Sequence, residues 1–147
     1  MIVTEEFETK TGGRFDAFDV TEDAQQVVGE SGVRNGTVLV FSPHTTCCVV
    51  VAEWGRQSVE SLRTAMESLV PSDDYYAHDD LDVRTENLVE DEPPNAPAHI
   101  FHAILGRASE CVPVRDGKIE LGESQRILFL ELDRSRPRRY LIQVVGE

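Results

Sequence analysis

Four histidines stand in this chain, His44, His78, His99 and His102, and imidazole is the side chain that gains and loses its proton nearest neutral pH. Three of them fall where a sequence tends to expose its side chains. His44 follows Pro43 at a break between two β-branched runs, His78 sits in a long acidic stretch, and His99 belongs to the first turns of a short helical segment. Three neutral imidazoles with one position left open are the ligand set of a catalytic zinc-type centre, and the same rings can act as general acids and bases. Asp79, Asp80 and Glu53 are available to fix a tautomer. No paired CxxC or HExxH spacing is present, so folding alone must gather these rings. His44 and Glu53 lie nine residues apart, which in a regular strand puts them on opposite faces. A bulge, or the bend at Pro43, has to break the period if both enter one cleft. His102, among Ile100, Phe101, Ala103 and Ile104, reads as a packing or interface residue.

The basic residues offer a second chemistry. Arg126, Arg134, Arg136, Arg138 and Arg139 cluster near the C-terminus, and guanidinium forks bind phosphate or carboxylate in pairs of hydrogen bonds. The competing reading is simple pairing with the abundant surface carboxylates. Twenty-seven acidic residues face fourteen basic ones, for a net charge of −13, and only Lys10 and Lys118 are lysines. That balance argues against nucleic acid as a partner, because phosphate backbones need a basic footprint. It reads instead as adaptation to a salty cytosol.

The elements that must position these groups follow from pattern. A chain of 147 residues is one domain with a core large enough to need no staples. No apolar run approaches the ~20 residues of a membrane span. The three cysteines, Cys47, Cys48 and Cys111, are odd in number and poorly placed for a disulfide framework. With Met1 to Thr9 lacking a secretory pattern, a cytoplasmic protein is expected. Strands are expected over residues 1–9, 15–20, 36–41 and 45–53, then 109–114, 118–121, 125–132 and 139–145. Thr21 and Asp23 mark the start of a short helix. Val59, Leu62, Met66 and Leu69 recur at helical spacing and predict a main helix over 54–69. Asn95 is placed to cap a third helix over 96–105, with Pro97 in its first turn and Gly106 after its end. Residues 72–92 form a long loop rich in acidic side chains. Strands following strands, with no Gly-rich phosphate loop, predict an α+β domain: a mostly antiparallel sheet or sandwich with two or three helices packed on it.

The segment Ser42-Pro43-His44-Thr45-Thr46 followed by Glu53 resembles the motif of the YjbQ-like family, the secondary thiamine-phosphate synthases. The likeness continues through Tyr76-Ala77-His78-Asp79, Asn95-Ala96-Pro97-Ala98-His99-Ile100, Ser109, Gln125, Glu131, Arg138-Arg139 and Gly146-Glu147. Two departures stand out. Gly122-Glu123-Ser124-Gln125 occupies the place of the family's Gly-Thr-Trp-Gln, and Gly106-Arg107-Ala108-Ser109 is one residue longer than its Gly-x-Ser.

The resemblance implies a small α+β protein that assembles as a homotrimer, with its histidines in a cleft near the subunit boundary. It also implies condensation of a pyrimidine methyl diphosphate with a thiazole phosphate, with loss of pyrophosphate. On that reading His44, His78 and His99 hold a divalent metal, zinc-like or magnesium, with Glu53 beside them. Gln125 orients substrate, and Thr45, Asn95, Ser109, Arg138 and Arg139 bind its anionic groups. Two other functions fit the same residues. One is a metal-dependent hydrolase of a small phosphorylated or acylated metabolite; the other is a non-catalytic trimer that binds a metal or an anion.

Overall fold

The computed structural model describes residues 1–147. The chain runs β1 (Ile2–Lys10), β2 (Ala17–Asp19), α1 (Thr21–Ser31), β3 (Gly36–Phe41), β4 (Cys47–Glu53) and α2 (Arg56–Leu69). After a single 3-10 turn at Ala77–Asp79 come α3 (Ala96–Leu105), β5 (Ser109–Arg115), β6 (Lys118–Ile119), β7 (Gln125–Glu131) and β8 (Pro137–Gly146). All strand pairs are antiparallel. One sheet has the order β1-β8-β3-β5-β6, the other β2-β7-β4. The α+β class read from the sequence is the observed one. No helix is long and apolar enough to cross a membrane.

The three-stranded sheet is buried on both faces, which explains why β4 and β7 read as continuous apolar runs. Along β7, Ile127 and Phe129 join the core shared with α1 and the larger sheet. Leu128 and Leu130 point the other way, into a second core closed by Phe101 of α3 and by Val59, Leu62 and Met66 of α2. Cys47 and Cys48 split between the same two cores, as neighbours on a strand must. Burial pushes the Cys48 thiol up to about 12 and Cys47 higher still, so both are inert packing groups.

Several expectations shift at their edges. β4 starts at Cys47, so Thr45 and Thr46 belong to the connection rather than the strand. Leu69 faces solvent, and Val70, just past the helix end, takes the buried place. The stretch before β2 is not extended. Phe15 adopts φ 61° and turns its ring into the second core against Phe101. At the join of β3 and β8, Gly36 faces Gly146 so closely that a side chain on either would strike the opposite backbone.

Candidate active site

His44 sits just past the end of β3, whose last residue, Phe41, pairs with Leu141 of β8. Two residues further along β8 the ladder has lost its strand, and the imidazole replaces it: the Arg139 N–H donates to His44 Nε2 at 3.0 Å. That bond makes Nε2 the unprotonated nitrogen. Burial, reinforced by the nearby Arg138 charge, holds the ring's pKa below the ordinary 6.5, which keeps it neutral.

His78 lies in the 3-10 turn, its Nδ1 2.8 Å from Asp79 Oδ1. The same oxygen accepts the Ala96 N–H at 3.0 Å, at the first residue of α3. Asp79 therefore ties the turn to the helix and makes Nδ1 the protonated nitrogen, leaving Nε2 free to accept a proton. The His99 ring stands 4.7 Å away, centre to centre, tilted by 45°. Burial, then the proximity of His78, lowers the His99 pKa.

Asn95 precedes α3, but its side chain makes no cap. Nδ2 donates instead to Asp133 Oδ2 at 2.8 Å, and Oδ1 is buried without a partner. The capping expected of Asn95 is done by Asp79 from the preceding turn. One N–H of Nδ2 is committed to Asp133, which leaves the second N–H and the Oδ1 acceptor of Asn95 for other partners at the cleft wall.

Arg138 is buried against Glu131. Nε and Nη2 donate to the two carboxylate oxygens at 2.7 Å each, and Nη2 also reaches Thr46 Oγ1 at 3.0 Å. Burial alone would raise the Glu131 pKa, but the bonds from Arg138 and Thr11 outweigh it and hold the carboxylate ionised. Nη1 makes no hydrogen bond to the protein, and Arg138 is among the residues that line the cleft.

These groups share a polar cleft of about 810 Å³, which places His44, Thr45, His78, Asn95, His99 and Arg138 together. The expected residues that stay outside have clear reasons. Arg139 alternates to the other face of β8 and pairs with Glu6 at 2.7 Å. Ser109 opposes Phe41 at the end of β5, on the exposed surface. Glu53 and Gln125 face each other at the far end of the β4–β7 ladder, six residues from the Cys47–Glu131 pair, or about 20 Å. There Ser58 Oγ donates to Glu53 at 2.5 Å, and Gln125 accepts the Gly122 N–H at 2.7 Å. Within one chain neither reaches the histidines.

Of the arginine cluster noted in the sequence, Arg136 joins Arg138 at the cleft wall. Its guanidinium lines the cleft with no carboxylate or carbonyl attached, whereas Arg84, also at the wall, is consumed by Glu92 and three loop carbonyls. Pro137 opens β8 and leaves Arg136 in the preceding turn.

Within one chain the three imidazoles do not converge on a single point. No three His, Cys, Asp or Glu side chains come close enough to hold an ion. His44 Nε2 accepts the Arg139 N–H, whereas His78, with Nδ1 on Asp79, keeps Nε2 free. What the cleft brings together is a carboxylate-backed imidazole and the side chains of Arg136 and Arg138.

A family model described as UPF0047 protein, YjbQ-like, matches residues 5–147. A UPF0047 protein of Archaeoglobus fulgidus is 41% identical over 140 residues, covering 95% of this chain and 99% of that one. Another from Methanothermobacter thermautotrophicus is 33% identical, covering 99% and 94%. Among solved structures, a YjbQ-like protein of unknown function from Sulfolobus solfataricus superposes with a TM-score of 0.86 at 28% identity, covering 100% of this chain and 99% of that one. A protein of the same family from Clostridium acetobutylicum gives 0.82 at 25% identity, covering 96% and 99%. By the full-length family match and the archaeal relatives together, this chain belongs to the UPF0047 family of YjbQ-like proteins.

Proposed function

We propose that the cleft is the active site of a small-molecule enzyme acting on a phosphorylated metabolite, of the secondary thiamine-phosphate synthase kind. One observation carries the reading: the His78–Asp79 pair shares a cleft with the unpaired Arg136 and the open edge of Arg138. In the condensation, the thiazole nitrogen attacks the methylene carbon of the pyrimidine, a C–N bond forms, and the C–O bond to diphosphate breaks. The electron pair leaves with pyrophosphate. Arg136 and Arg138 offset its charge, and His78, oriented by its Nδ1 bond to Asp79, acts as general acid, giving its Nε2 proton to the departing oxygen.

The same pair favours a second reading, hydrolysis. There neutral His78 takes a proton from water instead. Supplying both precursors and following products separates the two: thiamine phosphate with equimolar pyrophosphate supports the synthase, and phosphate or pyrophosphate alone supports the hydrolase. Under either, His78→Ala is expected to lower turnover about 10²- to 10⁴-fold. Unchanged turnover in that variant, or no turnover with any phosphorylated precursor, overturns both in favour of a binding module.

The working particle is proposed to be a homotrimer, to which the exposed Leu81, Val83 and Val89 offer apolar surface. Light scattering should give about three times the chain mass. Three unpaired cysteines suit a reducing compartment such as the cytoplasm. If the acidic surface is salt adaptation, the melting temperature rises steeply between low and molar KCl.

A further inference from the structure

A second cavity, of about 530 Å³, opens beside the polar cleft. Six of its eight lining residues are apolar, and its wall is built by Ala77 from the 3-10 turn and by Ala96, Ile100, Ala103 and Ile104 of α3. The other two are His78 and His99, which also line the polar cleft. The two spaces therefore meet at the imidazole pair. The Tyr76 hydroxyl, the one further polar group on the wall, already donates to the Pro71 carbonyl at 2.6 Å. Beyond the two imidazoles, no polar side chain in the cavity is left to pair with a ligand.

We infer that the substrate is bipartite: an anionic group seated at Arg136 and Arg138, and an uncharged apolar body, such as a phenyl ring or branched hydrocarbon, lodged in the groove between the 3-10 turn and α3. The reacting bond then lies at the junction, within reach of His78 Nε2. The inference rests on the anion-site reading of the cleft and adds the chemistry of the other half. A cavity with this lining rewards removal of carbon from water and penalises ring nitrogens and amino groups that lose their hydration. The lining favours a hydrocarbon over an aminopyrimidine, whose polar atoms find only the two imidazoles as partners here, so a pyrimidine-bearing substrate would have to seat its ring in the polar cleft instead.

The test is binding, measured calorimetrically on the intact protein without turnover, using benzyl phosphate, (4-aminopyrimidin-5-yl)methyl phosphate and inorganic phosphate. Benzyl phosphate is expected to bind about 10- to 100-fold tighter than inorganic phosphate, the gain from burying a phenyl-sized group. The aminopyrimidine is expected to gain much less. Ala103→Trp, which fills the cavity from an exposed helix position, should remove the benzyl advantage and leave inorganic phosphate binding unchanged. If that variant does not fold, Ile104→Asp charges the wall without filling it and should weaken benzyl phosphate alone.

Equal affinity for benzyl and inorganic phosphate, an aminopyrimidine that matches or exceeds benzyl, or a benzyl advantage that survives the variants overturns the inference. So does absence of binding by all three. Condensation activity is scored separately, so a protein that prefers the benzyl body and makes no thiamine phosphate loses the synthase reading and keeps this one.

Discussion

Asn95 Nδ2 lies 2.8 Å from Asp133 Oδ2, and that single bond fixes which side of the amide is left over. Both residues are buried, so the carboxylate has a donor and Asn95 Oδ1 has none. Asn95→Asp would set two carboxylates against each other at that distance, and one of them must keep a proton, its folded pKa raised. A raised folded pKa means stability that is present at low pH and lost as pH rises. The variant is therefore expected to melt well below the parent at pH 8 and much closer to it near pH 4.5. Melting curves across that range check it, and a difference independent of pH would show that the two carboxylates do not interact.

Asp79 holds His78 and the start of α3 with one oxygen. Asp79→Ala removes the acceptor that keeps the proton on Nδ1, so nitrogen NMR of the His78 ring should change from one tautomer to a mixture. Turnover is expected to fall about 10²-fold or more with the ring still present. Loss of a helix cap costs about 1 kcal/mol, so the fold survives and the two effects stay separable.

Glu131 and Arg138 form a buried, doubly hydrogen-bonded ion pair. Glu131 receives Thr11 Oγ1 at 2.6 Å, the Asp133 N–H at 3.2 Å and the Cys47 thiol at 3.4 Å besides the guanidinium. Glu131→Ala leaves the arginine buried without its charge partner and should lower unfolding free energy by roughly 3–5 kcal/mol. The double variant Glu131→Leu with Arg138→Met should recover much of that loss while abolishing phosphate binding. Urea unfolding and phosphate titration together read both effects.

Three histidines, His44, His99 and His102, have folded pKa values below the ordinary 6.5, each lowered first by burial. The unfolded chain therefore binds more protons once the pH drops past that value. Stability is intact above about 6.5 and declines as pH falls through the folded values, before Glu131 and Asp19 are protonated below their ordinary 4.5 and 3.8. Unfolding midpoints should thus begin to fall between pH 6.5 and 5. His102→Gln, outside the cleft, should flatten part of that slope; a midpoint constant down to pH 5 would contradict the neutral, buried state of these rings.

How much of this was legible beforehand depended on whether the physics was local. β7 showed itself through four consecutive apolar residues, and α2 through its three- and four-residue spacing, because burial imprints period on sequence. His44, His78 and His99 were identifiable as scarce groups at loop and helix ends. Their company was not. Glu53 looked like a neighbour of His44 along the chain, yet β4 carries it about 20 Å away, and Arg139 looked equivalent to Arg138, yet strand alternation sends it to Glu6. Arg136 stood in the arginine cluster from the outset, but that it lines the cleft unpaired while Arg84 beside it is consumed is a property of three-dimensional accounting.

The same accounting bears on metal. His44 spends Nε2 on the Arg139 N–H, so the chain presents His78 Nε2 and the His99 ring as its nearest free donors. Two imidazoles fall short of the three protein ligands that retain a catalytic zinc ion. Protein dialysed against a chelator is therefore expected to contain well under one zinc per chain by elemental analysis, and readdition should leave its melting temperature almost unchanged. His44→Ala should bind zinc no differently from the parent. Stoichiometric zinc that resists the chelator and disappears in His44→Ala would mean that this ring abandons β8 to become a ligand, and the acid–base assignment of the cleft would have to be rebuilt around the ion.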